Sequence, residues 1–145
     1  MDGLEFPLRR FMPDDEKLRS TLREAKTIAV VGLSSDSYRA SHSVAAYLQR
    51  HGYRIVPVNP NETEVLGEPA YASLLDVPDA VDIVDVFRRA EHTPPVAEEA
   101  VKCGARLLWL QSGIVNEDAR RIAEDGGLDV VMDACMKIEH QRLGV

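Results

Sequence analysis

Thr27-Ile28-Ala29-Val30-Val31-Gly32-Leu33-Ser34-Ser35-Asp36-Ser37-Tyr38-Arg39 is the stretch on which the fold turns. Its apolar run, Ile28 to Val31, stops abruptly at Gly32. A small polar loop follows, and a helical pattern begins near Ser41. This is the sequence form of a buried parallel strand whose carboxyl end opens into a phosphate-binding turn.

The same unit recurs on both sides. Downstream, Val44, Ala45, Tyr47 and Leu48 give residues 41–51 an inward helical face, and Gly52 suits the residue after its end. A second strand over 54–58 stops at Asn59-Pro60-Asn61, a strong turn signal. Upstream, Asp14 is placed to cap a helix that carries Leu18, Leu22 and Ala25 at helical spacing through Lys26. Residues 1–13, with two prolines and no periodicity, read as an N-terminal arm. Residues 62–82 hold Gly67, Pro69 and Pro78, which leaves room for at most a short helix near 71–75.

A third strand lies within 81–87. Its acids, Asp82 and Asp85, predict one less covered face and a place near the sheet edge. Thr93 is expected to cap a helix with Pro94 at its first position, ending at Cys103-Gly104. Residues 106–110 form a fourth strand, followed by Gln111-Ser112-Gly113. Asn116 caps a helix that ends at Gly126-Gly127. Residues 128–132 form a fifth strand, and Lys137, Glu139 and His140 read as a short polar tail, solvated or docking.

Strands alternating with helical crossovers, and no hairpin signal between them, give an α/β class. The expected fold is a Rossmann-like five-stranded parallel sheet with helices on both faces, a three-layer αβα arrangement. We take strand order 3-2-1-4-5, with the flavodoxin-like 2-1-3-4-5 as the alternative. Residues 14–145 are read as a single domain, since a chain of this length buries roughly 68–70% of its unfolded surface.

Composition narrows the function. Net charge is −7, from 17 basic and 24 acidic residues, which argues against nucleic-acid binding through a broad basic face. No apolar run approaches the ~18–20 residues a membrane span requires, and residues 1–11 lack the apolar core of a secretory signal. Cys103 and Cys135 stand far apart, in a spacing that suits a reduced compartment rather than a disulfide framework. The expected location is the cytoplasm.

Ligands of open parallel sheets bind at the carboxyl ends of strands. That rule selects the turn with Gly32, Ser34, Ser35 and Arg39, the exit at Pro57, Val58 and Asn59, the pair Phe87-Arg88, and Gln111-Ser112-Gly113. Gly32 would let backbone approach a phosphate, and Ser34 and Ser35 would add hydroxyl donors beside a helix N-terminus. An ordinary strand-to-helix turn is the plain alternative. A dinucleotide fingerprint would need glycine at Ser34 and Ser37, and an acid where Asn59 stands. Arg39 and Arg88 put planar, paired donors on the same edge, which suits phosphate; surface ion pairing with Asp36 or Glu91 is the bland reading. Pro57, Val58 and Phe87 would pack on adenine or serve as core.

Several short motifs together carry a resemblance: Gly32-Leu33-Ser34, Arg39-x-Ser41, the run 53–60 ending Pro-Val-Asn-Pro, Val86-Phe87-Arg88, Trp109-Leu110-Gln111-x-Gly113, and Asp133-x-Cys135-Met-Lys-x-Glu139-His140. The chain resembles the small bacterial and archaeal CoA-binding proteins, themselves similar to the N-terminal domain of the succinyl-CoA synthetase alpha subunit. The likeness runs from about Asp14 to near the end. It implies coenzyme A, free or acylated, along the carboxyl edge, and carries binding roles onto Gly32, Ser34, Arg39, Pro57, Asn59, Phe87 and Arg88. The synthetase relatives use a phosphorylated histidine from a second domain, for which this chain leaves no room.

His42, His51, His92 and His140 lie in separate segments, and no HExxH, GxSxG or Walker A pattern occurs. No catalytic residue and no metal ligand is therefore assigned. Cys135, just past the fifth strand, is the one reactive candidate, with a buried inert thiol as the alternative. The expectation is a binding module without a complete active site. The alternatives are the CoA-binding part of a split acyl-CoA synthetase and, less supported, a NAD(H)-responsive regulator.

Overall fold

The computed structural model describes residues 11–145. The expected arm lies outside the described residues except for 11–13. Helix α1, Asp15–Glu24, is capped by the Asp14 carboxylate, which accepts from Lys17 N–H at 2.9 Å. Strand β1 is Thr27–Val31, helix α2 is Ala40–Arg50, and β2 is Arg54–Val58. A two-residue hairpin, β3 (Glu64–Val65) and β4 (Glu68–Pro69), and a 3-10 turn at Leu74–Asp76 fill the irregular segment. Then come β5 (Ile83–Val86), α3 (Thr93–Lys102), β6 (Leu107–Leu110), α4 (Glu117–Asp125), β7 (Asp129–Val131) and α5 (Met136–Leu143).

The sheet is parallel and five-stranded, in the order β2-β1-β5-β6-β7. Fold class and layers are as expected; the strand order is the flavodoxin-like one, not 3-2-1-4-5. The reason lies on the outer edge of β2. Tyr71 bridges to Val58 there, donating to the Pro57 carbonyl at 3.0 Å and accepting from Asn59 N–H at 2.8 Å. With that edge occupied, the third main strand returns to the free side of β1, and Ile28 pairs with Ile83.

The placement of β5 is a second correction. It is the central strand, with all four residues buried, rather than one near an edge. Asp85 is 0% exposed on it. Its carboxylate accepts from the Gln111 amide and is sealed inside the sheet, so the alternating acid marked a polar contact and not a solvated face.

Each face of the sheet carries its own helices. Ile28, Val30, Ile55, Ile83, Leu107 and Trp109 pack with Leu18 and Leu22 of α1, Val44 and Leu48 of α2, and Met136 and Leu143 of α5. On the other face Ala29, Val56, Val84, Val86 and Leu108 meet Ala97 and Ala100 of α3 and Ala119 and Ala123 of α4. The small residues on α3 and α4 let these helices pack closely. Asn116 caps α4 as expected, accepting from Ala119 N–H at 2.8 Å. Thr93 opens α3 as its first helical residue rather than its cap, and its hydroxyl donates to the Ala90 carbonyl.

The polar tail is the third correction: it is α5. Met136, His140 and Leu143 recur at helical spacing and are buried. The Trp109 indole N–H fixes the approach to this helix by donating to the Ala134 carbonyl at 2.8 Å.

Candidate functional site

Three strand ends meet at Gly32. Its N–H donates to the Val58 carbonyl at 2.8 Å, and Phe87 N–H donates to the Val31 carbonyl at 2.8 Å. Gly32 has φ +90°, and a Cβ there would stand 2.6 Å from the Phe87 carbonyl oxygen. Glycine is thus required both by the left-handed backbone and by the close approach of the β5 exit. In this strand order the connections leave β1 and β5 in opposite directions, so the crevice between their carboxyl ends is the switch point where ligands bind.

The loop after Gly32 is held mostly by itself. Ser34 N–H donates to the Ser41 hydroxyl at 3.1 Å, Asp36 N–H to the Ser34 hydroxyl at 3.0 Å, and Tyr38 N–H to the Asp36 carboxylate at 2.9 Å. Ser35 uses a distant partner: its N–H and hydroxyl both donate to Glu62 Oε2, at 2.9 and 3.0 Å. Asn59 ties the same two exits together, its amide donating to the Leu33 carbonyl at 3.0 Å and accepting from Asn61 N–H at 2.9 Å. Pro57 is buried, and Val58 is 2% exposed within the core.

The two arginines stand differently. Arg39 occupies the N-cap position of α2 without a capping side-chain bond. Its Nε lies 3.9 Å from the Asp36 carboxylate, with 73% of the side chain exposed. So long and exposed a pair contributes little, which leaves the guanidinium open to an anion. Arg88 is half-buried and lines a cavity of about 270 Å³ at the switch point. Ala40 and Val44 of α2, Phe87 beside Arg88, Gln111, Ser112 and Ile114 after β6, and Cys135 before α5 complete its wall.

Beneath this wall sits Asp85. Gln111 Nε2 donates to its Oδ1 at 2.5 Å, while Oδ2 is buried with no hydrogen-bond partner among the described residues. Burial pushes the carboxyl up to about 7, against the opposing pull of the Gln111 bond.

Sequence reasoning brought Gly32, Ser34, Ser35, Arg39, Asn59, Phe87 and Arg88 to one edge, and the structure places them there. It also selected Gln111 and Ser112, which line the cavity, but missed Glu62, the bond from Gln111 to Asp85 and the buried state of Asp85. An acid inside an apolar strand was the available signal for Asp85. Nothing local marks Glu62, which reaches Ser35 across 27 positions. Cys135 does reach the cavity, half-buried.

At the opposite, amino-terminal end of the sheet, two histidines from separate segments come together. The Tyr47 hydroxyl and His140 Nδ1 are 2.8 Å apart, and the His51 and His140 rings lie 5.2 Å apart. Burial, with His51 as a second cause, lowers the His140 pKa. Among the described residues no group of three or more His, Cys, Asp or Glu is arranged to hold a metal ion.

Residues 26–141 match the model of a family described as a CoA binding domain. The chain belongs to the CoA-binding domain family. The match begins just before β1 and ends within α5, so it takes in every element that builds the crevice. This CoA-binding domain is 44% identical over 128 residues to the uncharacterized protein YneT of Bacillus subtilis, covering 88% of this chain and 95% of that one. It is also similar to acetate–CoA ligase [ADP-forming] II of Archaeoglobus fulgidus, at 31% identity over 101 residues. That alignment takes in 68% of this chain and only 15% of the ligase, so the CoA-binding domain spans a small part of that enzyme's length. Among solved structures, a hypothetical protein from Pyrococcus horikoshii OT3 superposes with a TM-score of 0.89 at 41% identity, covering 92% of this chain and 94% of that one.

Proposed function

We propose that this domain binds coenzyme A, free or acylated, along the carboxyl edge of its sheet, and that it lacks a complete catalytic site of its own. The observation that carries the reading is the placement of Arg39 and Arg88 on the two strand exits flanking the switch point, in a chain of net charge −7. Coenzyme A offers a diphosphate and a phosphorylated ribose to such a pair. The donor chemistry fits: two guanidiniums, the Ser34 and Ser35 hydroxyls, and a glycine that keeps the β1 exit low. Phe87 and the cavity beside it would take the apolar part of the ligand, with Pro57, Val58 and Asn59 shaping the edge.

Residues 14–145 act as one unit in this reading. Its acidic charge and two free cysteines, Cys103 and Cys135, support a cytoplasmic setting away from nucleic acid and membranes. Among the described residues no helix is long and apolar enough to cross a membrane.

A second reading has support from the relatives. Similarity to a segment of an ADP-forming acetate–CoA ligase is what a CoA-binding component of a split acyl-CoA synthetase would show. A separate partner would then supply the remaining chemistry. CoA-thioester formation that appears only when such a partner is added would favour it.

The arginine assignment has a direct test. Arg39→Ala and Arg88→Ala are each expected to weaken CoA binding about tenfold or more, the scale of a lost charge-assisted contact. Calorimetric titration measures this. Unchanged affinity in both variants would remove the phosphates from these positions.

A further inference from the structure

Building on the CoA reading, we propose that Glu62 is a built-in anion that occupies the phosphate loop and must be displaced when a ligand phosphate arrives. The Ser35 N–H and hydroxyl are the two donors at the tip of the β1 exit, and one carboxylate oxygen, Glu62 Oε2, takes both at 2.9 and 3.0 Å. The neighbouring donors are already committed: Gly32 N–H to the Val58 carbonyl of β2, Ser34 N–H to the Ser41 hydroxyl in the first turn of α2, and Asp36 N–H to the Ser34 hydroxyl. Those acceptors are neutral, whereas Glu62 comes from beyond β2 and carries the same charge sign as a phosphate oxygen.

The geometry suits a displaceable contact rather than a structural clamp. Ser35 is exposed and Glu62 half-buried. The two exits are independently tied by the Asn59 amide on the Leu33 carbonyl, so the β1 exit keeps its position when Glu62 leaves. Two anions cannot share the Ser35 donors. A bound phosphate therefore competes with the carboxylate for these bonds and is repelled by it while it stays near. Glu62 lowers the resting affinity and sets a threshold concentration for the ligand.

The test compares wild type, Glu62→Gln and Glu62→Ala by calorimetric titration with CoA and, separately, with inorganic diphosphate. The glutamine keeps an acceptor but removes the charge; the alanine removes both. Both variants are expected to bind CoA about five- to twentyfold more tightly, with alanine showing the larger gain. Both should bind diphosphate more tightly as well, and their thermal midpoints without ligand should stay near that of wild type. Equal or weaker CoA binding in the variants, with wild type binding CoA normally, would overturn the displacement idea and leave the CoA reading standing. If no protein binds CoA, that reading falls, and the role of Glu62 rests on diphosphate alone, where unchanged affinity in the variants would overturn it too.

Discussion

Gly32→Ala is expected to destabilise the fold by about 3 kcal/mol or more, and to remove ligand binding at temperatures where the variant still folds. Two costs combine. The backbone at φ +90° disfavours any side chain, and the new Cβ would lie 2.6 Å from the Phe87 carbonyl oxygen, a backbone atom that cannot turn aside. Relief requires the β1 exit and the β5 exit to separate. That movement would break the Phe87 N–H bond to Val31 and widen the crevice between the two arginine-bearing loops. Chemical denaturation should show a lower midpoint with an unchanged slope. A variant as stable as wild type would mean that this junction does not hold the edge together.

Asp85→Asn is expected to remove most of a loss of stability that develops as pH rises from acid to neutral. The sign follows from the raised pKa. The folded carboxyl titrates at about 7, well above an unfolded aspartate near 3.9. Its favourable contribution is complete below the unfolded value and is lost as pH rises through the folded one. The span corresponds to about 4 kcal/mol between roughly pH 4 and pH 8, reached only if the site stays as dry as its complete burial implies. His140 pulls the other way, since its lowered pKa makes stability fall as pH drops. That term is common to both proteins and cancels in their difference. Denaturation of both across this range should show the variant gaining on wild type as pH rises. A constant difference would place water or another partner on Asp85 Oδ2.

What was legible in the sequence was whatever short-range pattern controls. The run Ile28–Val31, broken at Gly32, gave a buried strand and its exit, and Asp14 and Asn116 marked two helix starts where they are found. Strand order was not legible, because it depends on which edge of β1 the chain returns to after a connection of more than twenty residues. The bridge from Tyr71 to Val58 that closes the outer edge of β2 leaves no local signature. Residues 136–143 failed as a tail for a related reason. Their apolar positions are few, and burial of His140 depends on Tyr47 across 93 positions.

The candidate site divides the same way. Positions at strand ends could be named because a parallel sheet brings all its carboxyl ends to one edge. The state of the donors there could not. The loop reads as free N–H groups awaiting a phosphate, whereas the Ser34 hydroxyl within it, the Ser41 hydroxyl of α2 and Glu62 from beyond β2 occupy them. Such contacts depend on where long-range packing sets Glu62, not on the loop's own composition.

The central claim, coenzyme A on this edge, is met most directly by calorimetric titration of the purified protein with CoA and with NAD. The account predicts saturable one-to-one binding of CoA and weaker or absent binding of NAD, which finds serine at Ser34 and Ser37 and no acid at Asn59. No heat with CoA, or tighter binding of NAD, would contradict it.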